Sequence, residues 1–238
     1  MLELKNISYK VIEKGQEKII LDNVSCVFNN KILTAITGHN GSGKSTLTKI
    51  IVGIIKPTSG KVIFNGKDVT NKTIDERANM GLNYAFQQPV TFAGITIKEL
   101  IDIATKSNNS IPQACEYLSK VGICAKEYIS RGFDKTLSGG EQKRIELALA
   151  LAKNGKCYIF DEPEAGLDLW SFEKLNNLFD SKKCNIVVSH QEKLLNKADK
   201  ILVLDKGKIS HYGDAKDVMN KIKNLSCIRI SGGKDEVR

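Results

Sequence analysis

Gly38-His39-Asn40-Gly41-Ser42-Gly43-Lys44-Ser45 is the stretch from which the rest of the chain is read. It fits G-x-x-x-x-G-K-[ST] and lies where that pattern has physical meaning. The run Ile32-Leu33-Thr34-Ala35-Ile36-Thr37 ahead of it has the content of a buried strand, and Ser45 to Gly53 behind it has helical periodicity. Between strand and helix, glycine lets successive backbone N–H groups curl around phosphate oxygens, and the helix directs its positive end at the same anion. The spacing predicts Lys44 on the terminal phosphates, the Ser45 hydroxyl on Mg²⁺ and Thr46 near the innermost phosphate. Gly38, His39, Asn40, Gly41, Ser42 and Gly43 form the cradle, with His39, at a variable position, expected to act through its backbone.

A site of this kind needs an acid at the end of an apolar strand. Cys157-Tyr158-Ile159-Phe160-Asp161-Glu162 supplies it, placing Asp161 to hold Mg²⁺ and Glu162 to orient or deprotonate an attacking water. Leu137-Ser138-Gly139-Gly140-Glu141-Gln142 opens a helix, and its N-terminal end, expected to be free, reads as a second anion cradle. Taken alone, a Ser-Gly-Gly turn is an ordinary helix start. Two separated phosphate-binding helix ends in one chain suggest a nucleotide held between two subunits.

Working outward, the first thirty residues read as β structure: Leu2, Leu4 and Ile7 in one strand, a polar turn at Glu13 to Gln16, then Val24, Cys26 and Phe28 alternating in a second. Gly60 to Asn65 reads as another strand. Ile97 to Ala104 and Pro112 to Val121 have helical spacing within an insert. After a helix through Ala152 the chain alternates strand (Cys157 to Phe160), helix (Leu169 to Phe179), strand (Asn185 to Ser189), helix (Glu192 to Ala198) and strand (Ile201 to Leu204). Such alternation implies an α/β chain with a mostly parallel sheet covered by helices on both faces.

Composition bounds the function. A chain of 238 residues, 41% hydrophobic and 26% charged, can bury a sizeable core. Its net charge of +9, 36 basic less 27 acidic residues, suits a polyanionic ligand or an acidic partner. The runs Ile50 to Ile55 and Ile201 to Leu204 fall short of the roughly 20 apolar residues a membrane span needs, and Met1 to Lys5 does not open a secretory signal. A cytoplasmic chain with no membrane span of its own is expected. The cysteines at 26, 115, 124, 157, 184 and 227 form no C-x-x-C pair and read mainly as core residues.

The order of phosphate loop, glutamine loop, Leu-Ser-Gly-Gly-Glu-Gln, Asp-Glu-Pro, Gly-Leu-Asp and a later lone His resembles the ATP-binding-cassette (ABC) ATPases over nearly the whole chain. The resemblance implies a phosphate-loop NTPase fold in one unit, 1–238. Residues 1–90 and 137–225 would make a RecA-like core plus an antiparallel β subdomain, about 91–136 a helical subdomain, and 226–238 a loose tail. It implies an ATPase using ATP and Mg²⁺, in which two copies close head to tail so that the Lys44 loop of one and the Ser138 turn of the other sandwich each ATP. Gln87, in Ala85-Phe86-Gln87-Gln88-Pro89, would be the glutamine sensing Mg²⁺ and water, with Gln88 adjacent. Asp168 would cross the dimer and His190 would be the switch histidine, while His211 looks structural. The adenine-stacking register lands on Val11, with Tyr9 as a substitute.

Three stretches resemble the cassette of the Suf iron-sulfur assembly system (SufC-type): Tyr84 to Val90 with Ala93-Gly94-Ile95, the Lys-Arg-x-Glu continuation in Glu141 to Glu146, and Glu164-Ala165-Gly166-Leu167-Asp168. Pro163 and Ala165 depart from that group. The implied partner is a SufB/SufD-like scaffold, the alternative being a membrane permease, for which Asp-Glu-Pro and the length speak. Direct nucleic-acid binding is not expected, since no coiled-coil heptads lie between Thr46 and Leu137. Phe92, Ile95 and Ile97 either dock on the partner or pack the insert onto the core.

Overall fold

A computed structural model of the chain describes residues 1–92, 94–167, 179 and 182–222. The expected helix Leu169 to Phe179 (apart from Phe179 itself), Asp168 and the tail from Ser226 lie outside these residues. Six strands form the central sheet among the described residues: β3 (Leu33–Thr37), β6 (Leu82–Ala85), β7 (Cys157–Asp161), β8 (Cys184–Val188), β9 (Lys200–Asp205) and β10 (Lys208–Asp214). Their order is β10-β9-β3-β8-β7-β6, parallel except for β10 at the edge. The strands read as continuous apolar runs because both faces are buried. Tyr158 and Phe160 enter one core with Ala35, Val187 and Ile201, while Cys157 and Ile159 enter the other with Ile36, Ile186 and Leu202.

Helices on both faces were expected, and the second core departs from this. One face is covered by a four-stranded antiparallel sheet, β1 (Leu2–Glu13), β2 (Gln16–Phe28), β4 (Ser59–Phe64) and β5 (Lys67–Asp68), together with α1 (Lys44–Val52). The physical reason lies in the alternation of β1 and β2: Leu2, Leu4, Val24, Cys26 and Phe28 all point into that core, and the two-stranded hairpin must bury them somewhere. The other face is covered by α6 (Gly139–Ala152) and the insert helices α3 (Ile97–Thr105), α4 (Ile111–Lys120) and α5 (Ala125–Tyr128). Thr96 and Glu99 start α3 with a capping box, and Pro112 sits in the first turn of α4.

Further departures are local. α2 (Ile74–Asn79) and β6 were not anticipated, and both carry buried polar groups that interrupt the apolar pattern. Arg77 is 1% exposed and donates to the carbonyls of Ile50 and Ile51 (both 2.7 Å), Thr70 (2.9 Å) and Lys72 (3.1 Å), so it caps the C-terminal end of α1. Asn83 in β6 donates to the Ala150 carbonyl of α6. The helix expected to reach Ala198 is one turn, Glu192–Leu195. In the insert, Ile97 is buried and Ile95 packs against the core, whereas Phe92 stays 44% exposed beside Phe133. Among the described residues no helix is long and apolar enough to cross a membrane.

Candidate functional site

The phosphate loop is built by β3 running out at Thr37 and α1 beginning at Lys44. Gly38 has φ 144°, and a Cβ there would lie 2.0 Å from the Leu204 carbonyl oxygen. Gly43, the N-cap of α1, has φ 103° and packs against Leu21. Both positions therefore require glycine. No side chain caps α1 and no acidic residue stands in its first turn, which leaves its N-terminal donors and positive end for an anion.

Lys44 is 6% exposed and its ammonium donates to the carbonyls of Gly38 (2.7 Å) and His39 (3.0 Å). Burial pushes its pKa down, while Glu162 and Asp161 pull it up. His39 contributes its carbonyl, which also accepts from the Ser42 N–H. Ser45 follows Lys44, and Thr46 is half-buried in the same first turn. The Thr48 hydroxyl lies between the Ser45 carbonyl (3.0 Å) and Asp161 Oδ2 (3.3 Å), joining α1 to the end of β7.

Asp161 is 1% exposed. Tyr84 donates to its Oδ2 at 2.7 Å, and its Oδ1 has no partner. Burial raises its pKa, and the neighbouring Glu162 adds to the rise. An orphaned, buried carboxylate oxygen beside the Lys44-Ser45 turn fits a hard divalent cation with oxygen ligands. Glu162 holds a left-handed backbone, φ 46°, which is rare for a side chain of this size. Its Oε2 accepts from Gln87 Nε2 at 2.8 Å, and its Oε1 is 3.9 Å from His190 Nε2. Burial and then Lys44 lower the pKa of His190, against the pull of Glu162.

The structure thus brings Lys44, Asp161, Glu162, Gln87 and His190 together, and it is Gln87 that reaches the acid. Ser138, Gly139 and Gly140 stand elsewhere, at the N-terminus of α6. That end was expected to be free, but it is partly closed: Ser138 and Glu141 form a capping box, and Tyr128 donates to Glu141 at 2.5 Å. Only the N–H groups of Gly139 and Gly140 have no partner among the described residues. His211 lies in β10 against Ser210. Tyr9 packs against the core, and a register shift between Tyr9 and Lys10 separates it from Val11. The sequence reading missed Thr48 and Tyr84, the two hydroxyls that hold Asp161. It also gave no role to Lys143 and Glu146, although it quoted both.

A chain with this loop, this strand-end acid and this mostly parallel sheet is a phosphate-loop nucleotide hydrolase. A family model described as "ABC transporter" matches residues 21–165. The chain is 38% identical over 211 residues to an uncharacterised ABC transporter ATP-binding protein of Methanocaldococcus jannaschii, covering 84% of each. It is 30% identical over 245 residues to an energy-coupling factor transporter ATP-binding protein, EcfA2, of Caldanaerobacter subterraneus subsp. tengcongensis, covering 97% of this chain and 85% of that one. It superposes with TM-score 0.81 and 25% identity on an ATP-binding cassette in a dimeric post-hydrolysis state bound to ADP and Pi, over 90% of this chain and 99% of that one. The chain belongs to the ABC transporter family of ATP-binding cassettes. It is an ATPase that uses ATP with Mg²⁺.

Proposed function

We propose that the chain is the ATP-binding energy subunit of a membrane transporter, working as a pair of cassettes docked on a membrane permease. The hydrogen bond from Gln87 to Glu162 carries this reading, because it joins the loop leading into the helical insert to the group that handles water. The resemblance along 97% of the chain to an energy-coupling factor transporter subunit supports the permease as partner. The dimeric cassette of similar fold supports the pairing.

In this reading Gly38 to Thr46 bind the phosphates, with Lys44 leaving its loop carbonyls for the phosphoryl oxygens. Ser45, Gln87 and Asp161 would hold Mg²⁺, which when bound would supply charge neutralisation to the phosphoryl oxygens. Glu162 orients and deprotonates water, and Gln87 fixes the carboxylate. His190, whose pKa is lowered by burial and then Lys44 in the nucleotide-free chain, stands beside Glu162 to contact the terminal phosphate. Ser138, Gly139, Gly140 and Asp168 complete the site from the second copy. Hydrolysis then releases the pair, and the insert passes the motion to the permease.

A second reading, a SufC-type cassette moving a SufB/SufD-like scaffold, is favoured by one observation. Lys143 and Glu146, in the stretch that resembles the Suf group, both bond to the Phe86-Gln87 backbone. One experiment separates the readings. Tagged Glu162→Gln protein, recovered from its own cells in Mg-ATP, is expected to carry a second copy and a polytopic membrane protein. Recovery with a scaffold that has no membrane segments overturns the transporter reading. An undiminished hydrolysis rate in that variant overturns the role given to Glu162.

A further inference from the structure

The Lys-Arg-x-Glu stretch of α6 turns two buried charged side chains toward the glutamine loop. Lys143 and Glu146 lie one turn apart on α6, with side chains only 2% and 12% exposed and their charged atoms 3.4 Å apart. Both face one peptide segment, the end of β6 where the chain enters the glutamine loop. Glu146 Oε1 accepts from the Phe86 N–H at 2.6 Å. Lys143 donates to the Phe86 carbonyl and, at 3.2 Å, to the Gln87 carbonyl. The backbone of residues 86 and 87 is thus gripped by its donor and its acceptors at once. The next contact along is Gln87 Nε2 on Glu162.

We propose that Lys143 and Glu146 are positioning residues for hydrolysis. They tie Gln87, and through it Glu162, to α6, the helix whose first turn is Ser138-Gly139-Gly140. The proposal rests on the reading of Gln87 and Glu162 given above. A buried ion pair is a poor source of stability, since apolar residues of similar volume usually serve as well or better. Desolvation raises the Glu146 pKa and the pull of Lys143 only partly offsets the rise, so burying this carboxylate carries a cost. What an apolar pair could not do is fix the direction of the Phe86 and Gln87 peptides. Because α6 is one continuous fourteen-residue helix, a displacement of its Ser138 end moves Lys143 and Glu146 with it. A group bound at the Ser138 turn of one chain would in this way set the carboxylate that serves the other site.

The test is steady-state ATPase kinetics with equilibrium binding of Mg-ADP. Lys143→Met is expected to lower kcat about 10-fold or more while KM and the Mg-ADP affinity stay within about threefold. Lys143→Arg, which keeps the donors, is expected to restore most of the loss. In a Gln87→Ala background Lys143→Met should cost less than about twofold more, because both changes break one chain of contacts. A further tenfold loss in that background, or parallel losses in affinity and kcat, overturns the proposal and leaves Lys143 a packing residue. If Lys143→Met does not fold, Glu146→Gln is read by the same criteria. A lowered kcat in Gln87→Ala beside an unchanged one in Lys143→Met overturns the proposal alone. An unchanged kcat in Gln87→Ala overturns the parent reading as well.

Discussion

α1 and α6 both start after a turn of glycine and serine, and they treat their first backbone N–H groups in opposite ways. α1 begins at Gly43 with no side-chain cap and no acid in its first turn. α6 begins at Ser138 with a reciprocal cap to Glu141, whose carboxylate also takes the Tyr128 hydroxyl. The glycines differ as well. Gly38 and Gly43 are dictated from within, by positive φ and by neighbours a Cβ would strike. Gly139 has no positive φ, and a Cβ there would meet nothing within 4 Å. An open glycine in a helix weakens it, and in the proposed reading its reason is external: the second copy's nucleotide approaches that turn closely. In the reading proposed above, the first helix end binds the phosphates within one chain and the second is half a site that a second copy completes.

The largest effect expected from this contrast is on Gly38→Ala. A Cβ within 2.0 Å of a backbone carbonyl cannot be relieved by a side-chain rotation, so the variant should lose about 3 kcal/mol or more. That corresponds to a Tm lower by about 6–12 °C in thermal melts. A melt matching the wild type would show that the loop is not dictated from within.

Gly139→Ala is expected to behave in the reverse manner. Its Tm should match or exceed the wild type by about 2 °C, as alanine suits a first helical turn and restricts the unfolded chain. Mg-ATP affinity of the single chain should be unchanged, and ATP-driven pairing, read by light scattering, should fall about 10-fold or more. Normal pairing would remove the external reason for the glycine and with it half of the comparison.

Much of this site was legible because its information is local. The Lys44 loop needs only a strand before it and a helix after it, and Asp161-Glu162 needs only an apolar strand to end on. Gln87 and His190 were reached through the family pattern, and their convergence on Glu162 is a tertiary fact. α2 and β6 were illegible because Arg77 and Asn83 are polar yet buried, so hydrophobic periodicity reads them as surface. The same disguise hid Lys143 and Glu146, which resemble the charged face of an exposed helix until the Phe86-Gln87 backbone is laid against them. The antiparallel sheet that covers one face could not be read from periodicity, because which layers meet is decided far along the chain. The closed end of α6, by contrast, was readable: Ser138 and Glu141 have the spacing of a capping box.

The smallest expected effects are in pH-dependent stability, and they take opposite signs at the two helix ends. Burial raises the folded pKa of Asp161, so its charge destabilises the fold. The cost is absent below its ordinary value of 3.8, grows as the pH rises through the raised value, and is fully present above it. Without nucleotide, Asp161→Asn should therefore melt about 2 °C or more above the wild type at neutral pH, and the gap should close toward pH 4. Glu141 is shifted the other way, held below the usual carboxylate range by the Tyr128 hydroxyl and then the Ser138 N–H. Its contribution is present above its ordinary value of 4.5 and fades as the pH falls through the lowered one. Glu141→Gln should accordingly melt about 1 °C below the wild type at neutral pH, with that gap closing in acid. Mg-ADP should reverse only the first difference, stabilising the wild type more than Asp161→Asn, because in the proposed reading the cation would satisfy the orphaned Asp161 oxygen, whereas Glu141 is already satisfied by its own helix. Equal shifts of both variants with Mg-ADP would mean that the two helix ends do not differ in what they hold open for a ligand.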